Sequence, residues 1–176
     1  NLTELTPKPE STSIVKFPNA DVNAGWSDES IKAERAECVQ RLKGLKIEFT
    51  ALAPIGQMNG CGAPAPLEVT KIAGVAIVPS GSFTCDMIEA LHGWISNSVV
   101  PAARQHLEKS VVKINNASAY VCRRRNGLAS GKLSEHAKAN ALDIATLGFD
   151  DGSSINIKGD WSGLKQLVGV SDKGNF

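Results

Sequence analysis

An α+β fold, a small antiparallel sheet with hairpins packed against two or three helices, is the class this sequence predicts. Three observations point to it. Two stretches repeat apolar residues at helical spacing, several shorter ones alternate polar and apolar between Gly, Pro and Asp turns, and helices and hairpins are segregated along the chain. A doubly wound parallel sheet would instead show strands and helices in strict alternation.

The elements follow in order. Residues 1–26 hold three prolines, several Ser and Thr and no apolar period, which reads as an extended arm or linker ahead of a domain over 27–176. Ser27-Asp28-Glu29 opens a helix, because a Ser cap followed by acidic residues satisfies orphan amides and suits the helix dipole. Its stripe is Ile31, Cys38, Leu42 and Leu45, with Arg35 the polar member and Gly44 the stop. Lys46 to Leu52 alternates as a half-buried strand, Pro54 to Pro66 is a long Gly/Pro loop holding Cys61, and Leu67 to Ile72 and Val75 to Val78 are extended.

From Thr84, the residues Met87, Ile88, Leu91, Ile95 and Val99 form a second amphipathic helix, with Trp94 expected in the core. Pro101 should interrupt or restart it before Ala102 to Leu107. Val111 to Ala117 and Ala119 to Arg124 read as two further strands. Ala141 to Leu147 and Ser154 to Lys158 flank Asp150-Asp151-Gly152, a turn that tolerates positive φ, and so form a hairpin. Ser162 to Val170 could begin a last helix.

The chain has 176 residues, 19 basic against 18 acidic ones, a formal charge of +1 and a pI near 7.8. No broad cationic field exists to draw it onto nucleic acid or anionic membranes. No stretch reaches the ~18 apolar residues that a membrane helix needs, so no transmembrane segment is expected.

Cys38, Cys61, Cys85 and Cys122 are widely spaced and form no CxxC pair, which argues against a zinc ribbon or a thioredoxin-type site. Two disulfides in an oxidising compartment are favoured over four buried thiols, and all three connectivities are open.

Of the three histidines, His92 reads as a partly exposed helix residue and His106 as solvated near a helix end. His136 lies in Ser134-Glu-His-Ala-Lys-Ala-Asn-Ala-Leu-Asp143, after a Gly/Ser loop and just before a strand. There Ala141, Asp143 and Ala145 share one face and Leu142 and Ile144 the other. The carboxylate therefore stands between small side chains, with room beside it, and a turn over 137–140 could fold His136 back toward it. Nitrogen and oxygen donors of this kind suit zinc, although an Asp paired with Arg or Lys is the commoner outcome of such a pattern. Arg123-Arg124-Arg125 offers either a solvated edge or a bidentate carboxylate clamp. Trp26, Trp94 and Trp161 are too scattered for a sugar platform.

Several segments, in order, carry a family resemblance: Cys38 to Leu42, Gly60-Cys61-Gly62, Pro66-Leu67, Phe83-Thr-Cys85, Trp94, Pro101-Ala-Ala103, Tyr120-Val-Cys-Arg123 and Ser134-Glu-His136 to Asp143-Ile144. Over about residues 30–176 the chain resembles the bacterial extensin-like C-terminal domain family. Its Ser-x-His-x-x-Gly-x-Ala-x-Asp pattern is in turn similar to that of the LAS-type zinc D-alanyl-D-alanine carboxypeptidases and peptidoglycan endopeptidases. The resemblance implies His136 and Asp143 as metal ligands, zinc as cofactor, and Arg123 and Ser134 at the substrate, Arg123 as the anion binder. It further implies a periplasmic or secreted domain acting on peptidoglycan stem peptides, or a catalytically incomplete relative that binds peptidoglycan or a protein through the same cleft.

Two departures stand out. The pattern's Gly is Ala139, which would cost roughly 1–2 kcal/mol if that position needs left-handed geometry. The later His-containing motif, which would supply a third ligand and a base, does not occur before Phe176, so the chain is expected to be a fragment or a non-catalytic relative.

Overall fold

The computed structural model describes residues 25–56 and 60–160. Most of the extended arm expected over 1–26, and the helix expected over 162–170, lie outside the described residues.

Helix α1 spans Asp28–Leu42, and the Ser27 hydroxyl accepts from the Ser30 N–H at its start. Such a cap is worth about 1 kcal/mol. Ile31, Cys38 and Leu42 are its buried residues, the stripe that the apolar spacing predicts. Arg35, the polar member, donates to the Leu52 carbonyl across the gap to the first strand.

Six strands form one sheet: β1 Ile47–Ala51, β4 Leu67–Ile72, β5 Val75–Phe83, β6 Val111–Ser118, β7 Asp143–Phe149 and β8 Ser154–Asn156, in the order β1-β4-β5-β6-β7-β8. A separate hairpin pairs β2 Ile55–Gly56 with β3 Gly62–Ala63 inside the Gly/Pro loop. Gly62 is required there: at φ 127°, a Cβ would fall 1.9 Å from the Ile55 carbonyl oxygen.

The α+β class holds, and the sheet is larger than expected and mixed, because β5 and β6 run parallel. Parallel neighbours need a crossover, and one continuous helical segment supplies it. Helix α2, Cys85–Trp94, passes through a π-helical turn at Ile95–Val99 into α3, Val100–Leu107. Pro101 therefore does not break the helix. Proline removes an amide hydrogen and crowds the carbonyl four residues back; widening the preceding turn, so that the Val100 N–H reaches the Ile95 carbonyl, relieves that crowding.

The core lies between these helices and the sheet, with Leu67, Val69, Ile72, Phe83, Ile88 and Ile95 fully buried. Each such side chain contributes about 1.5–3 kcal/mol relative to exposure. Trp94 is not among them. It is 41% exposed, contrary to its expected place in the core, because the stripe of α2 is completed by Leu91 and Ile95 on either side of it.

Residues 119–124 do not make the second strand that their composition suggests; between β6 and β7 only an isolated Arg124–Leu133 bridge forms. Their backbone is held instead by the loop that carries His136. The β7–β8 hairpin forms around Asp150 to Gly152, with Gly152 at φ 83°.

Two disulfides join Cys38 to Cys85 and Cys61 to Cys122. The first ties α1 to the start of α2. Arg41 reinforces it by pairing with Asp86 at 2.7 Å and donating from Nε to Glu89 at 3.1 Å.

Candidate functional site

Ser134 begins a short 3-10 helix, Glu135–Lys138, that presents His136 and ends at Ala139. Ala139 is left-handed, at φ 55° and ψ 33°, so the position where the family pattern has Gly does require that geometry. Ala137 and Ala139 are fully buried, and their small side chains let this loop seat directly against the fold. The Ala139 carbonyl accepts from the Thr84 N–H at 2.9 Å. The Thr84 hydroxyl, which accepts from Met87 at the start of α2, also contacts the Asn140 side chain at 3.3 Å. The His136 loop is thus pinned to the helix N-terminus that carries Cys85.

Three backbone bonds fasten the other side. Val121 N–H donates to the His136 carbonyl at 3.2 Å, Ser134 N–H to the Arg123 carbonyl at 3.0 Å, and Arg125 N–H to the Lys132 carbonyl at 3.0 Å. The Cys61–Cys122 disulfide anchors the same strip one residue before Arg123.

His136 is 7% exposed, and its Nδ1 lies 2.6 Å from the Ala119 carbonyl oxygen. A carbonyl only accepts, so Nδ1 carries the hydrogen and Nε2 is left facing Asp143, whose Oδ1 is 3.3 Å away. The ring therefore meets an acceptor at each nitrogen, while a neutral imidazole has one N–H. Two donors about 2.0 Å from a tetrahedral zinc stand roughly 3.3 Å apart, so the observed separation suits two corners of such a site. A ligating His that donates its other nitrogen to a backbone carbonyl is also the usual arrangement around metals.

Asp143 is exposed at the start of β7, opposite Ser118 of β6, while Leu142 and Ile144 pack toward the core. The ladder between β6 and β7 shifts register at Asn115/Asn116 and again at Asn116/Ser118. Irregularities of this kind re-aim side chains at a strand end.

Each remaining candidate has a definite place. Arg124 donates to the Gly131 carbonyl and closes its own loop, Arg125 lies 3.6 Å from Glu135, and both Arg123 and Arg125 are exposed. Glu135 faces Arg125, Lys138 and Asn140. Ser134 is buried at the head of the motif. His92 is on α2 and His106 on α3, the latter exposed. Among the described residues no group of three His, Cys, Asp or Glu side chains could hold a metal. The pair fits half of a zinc ligand set and does not by itself make a catalytic one.

The family model described as extensin-like protein C-terminus matches residues 36–171, a span that contains both disulfides, the His136 loop and Asp143. The chain belongs to this family. Searches of curated proteins and of solved structures returned no match. Both disulfides of this extensin-like domain accord with an oxidising compartment, and no helix among the described residues is long and apolar enough to cross a membrane.

Sequence reasoning missed the Ala119 carbonyl that sets the His136 tautomer, since a backbone acceptor has no residue-type signal. It also gave no role to Asn116 and Tyr120, which border the site. Asn116 opens an Asn-x-Ser glycosylation pattern, yet its amide nitrogen is committed to the Pro79 and Ser80 carbonyls at 3.2 and 3.4 Å.

Proposed function

We propose that this extensin-like domain is a zinc peptidase-like module of the bacterial envelope, periplasmic or secreted, that engages peptidoglycan stem peptides at the His136–Asp143 pair. The observation that carries the reading is the 3.3 Å approach of His136 Nε2 to Asp143 Oδ1 on a ring whose other nitrogen is already bonded. Arg123, an exposed residue next to Cys122, would supply a planar fork for a substrate carboxylate. His136 would bind through Nε2, Ala119 would hold its ring in place, and Asp143 would provide the matching negative charge. Hydrolysis needs a third protein ligand and a base besides these residues.

A second reading is favoured by the two-donor count: a catalytically incomplete domain that binds the same peptides without cleaving them. Zinc titration followed by calorimetry and a muropeptide assay separates the two, with His136→Ala and Asp143→Ala as controls. Zinc-dependent cleavage abolished by both substitutions supports the peptidase. Peptide binding without cleavage supports the binding domain, and neither binding nor cleavage across carboxypeptidase and endopeptidase substrates defeats both.

A further inference from the structure

A groove separates α3 from the β8 end of the sheet. Ala102, Ala103 and Leu107 of α3 form one bank, and Leu147 and Phe149 of β7 with Ile155 of β8 form the other. The groove measures ≈300 Å³, and its walls present no polar surface. Leu107 is 41% exposed, and Leu147 and Ile155 are only partly buried, so apolar area stays in water where the core reaches the edge of the sheet. A concave, wholly apolar surface is a place for something to dock.

The chain continues from the groove itself. Ile155 lines it, and Asn156, the next residue, caps a helical turn that begins at Ile157. Asn156 Oδ1 accepts from the Gly159 N–H at 2.7 Å, and Asp160 Oδ2 accepts from the Asn156 N–H at 2.7 Å. A reciprocal cap of this kind starts a helix. In the sequence that follows, Ile157, Trp161, Leu164 and Val168 recur at helical spacing, with Lys158, Ser162 and Lys165 out of phase. Gly159 and Gly163 weaken such a helix, and one of about twelve residues is marginal alone, so its apolar stripe needs a partner face.

We propose that this groove is the docking site of the chain's own segment 161–168, with Trp161 and Leu164 seated in it. A helix over 157–168 is about 18 Å long, enough to run beside α3 over the exposed edge. Attachment at Asn156 holds the segment at an effective concentration on the order of millimolar, so a modest apolar contact suffices. A second copy is disfavoured, because a groove of this size falls far short of the roughly 800 Å² per partner that a stable complex buries. Docking clamps β8 onto β7, the strand that begins at Asp143. The inference goes beyond the proposed function and does not depend on what His136 and Asp143 bind.

The test is nuclear Overhauser spectroscopy of the full wild-type chain with labelled methyl groups and tryptophan rings. Contacts from the Trp161 ring and the Leu164 methyls to the methyls of Ala103, Leu147 and Ile155 are expected. Thermal unfolding of two variants adds a second reading: Leu164→Asp, on the apolar stripe, should lower the melting temperature by several degrees and let the groove take up an apolar dye, whereas Lys165→Asp, on the opposite face, should change neither. The wild-type contacts keep the test valid if Leu164→Asp misfolds. Absence of contacts from residues 161–168 to the groove would overturn the proposal. So would contacts that arise only between labelled and unlabelled copies in a mixed sample, which would make a second copy the occupant, or equal behaviour of the two variants.

Discussion

His136 Nε2 lies 3.3 Å from Asp143 Oδ1, and the two residues reach that point from different kinds of backbone, a 3-10 turn and a strand start. Seven positions apart in sequence, they meet because the left-handed residue Ala139 reverses the chain between them. The proposed reading of this approach predicts that zinc binds one to one and weakly, since only two donors converge. Calorimetry should show His136→Ala and Asp143→Ala each lowering the affinity at least tenfold; equal affinity in either variant would place the metal elsewhere.

Ala139 occupies a conformation that disfavours any Cβ. Ala139→Gly should stabilise the domain by up to about 1 kcal/mol, because relief of left-handed strain of roughly 1–2 kcal/mol exceeds the added freedom of the unfolded chain. Thermal unfolding by circular dichroism reads this as a rise of a few degrees. A fall would show that contacts of the buried methyl outweigh its strain.

Both cysteine pairs close long loops, of sequence separation 47 and 61. Removing either pair by double Cys→Ala substitution should cost about 4 kcal/mol on the chain-entropy estimate. Denaturant unfolding measures it. Denaturation with an alkylating reagent and no reductant should leave all four cysteines unmodified, and four labelled thiols would contradict both bridges.

The Ser153 hydroxyl, with help from Lys109 2.9 Å away, holds the Asp151 carboxyl well below the usual aspartate range. A depressed folded value means that the contribution is present above the unfolded value, ~3.9, and is lost as pH falls toward the folded one. The melting temperature of the wild-type chain should therefore exceed that of Asp151→Asn at pH 6 to 7, and the gap should close progressively below about pH 4. A gap that persists at the lowest pH would mean that the amide disturbs the turn by some route other than charge.

Glu89 follows the same sign. Its hydrogen bond from Arg41 lowers its pKa, so the link from α1 to α2 weakens as acid protonates it. Arg41→Gln should lower the melting temperature at neutral pH, and the difference from wild type should shrink in acid. An equal difference at both pH values would assign the effect to packing of the side chain.

Local chemistry made much of this protein legible. The cap at Ser27, the stripe of Ile31, Cys38 and Leu42 and the Asp150 to Gly152 turn each depend on residues a few positions apart, whose conformational preferences act before any tertiary contact forms. The type and spacing of His136 and Asp143 were legible for the same reason. What only the tertiary structure decided involves partners far along the chain or atoms that every residue shares. The pairing of Cys38 with Cys85 and Cys61 with Cys122, the parallel alignment of β5 with β6, and the outward turn of Trp94 depend on how helices and sheet pack. The failure of residues 119–124 to form a strand, and the role of the Ala119 carbonyl, come from a loop that takes up their backbone hydrogen bonds first. Spacing and residue type cannot encode that competition, because backbone donors and acceptors are alike at every non-proline position and their partners are assigned only when the chain is folded.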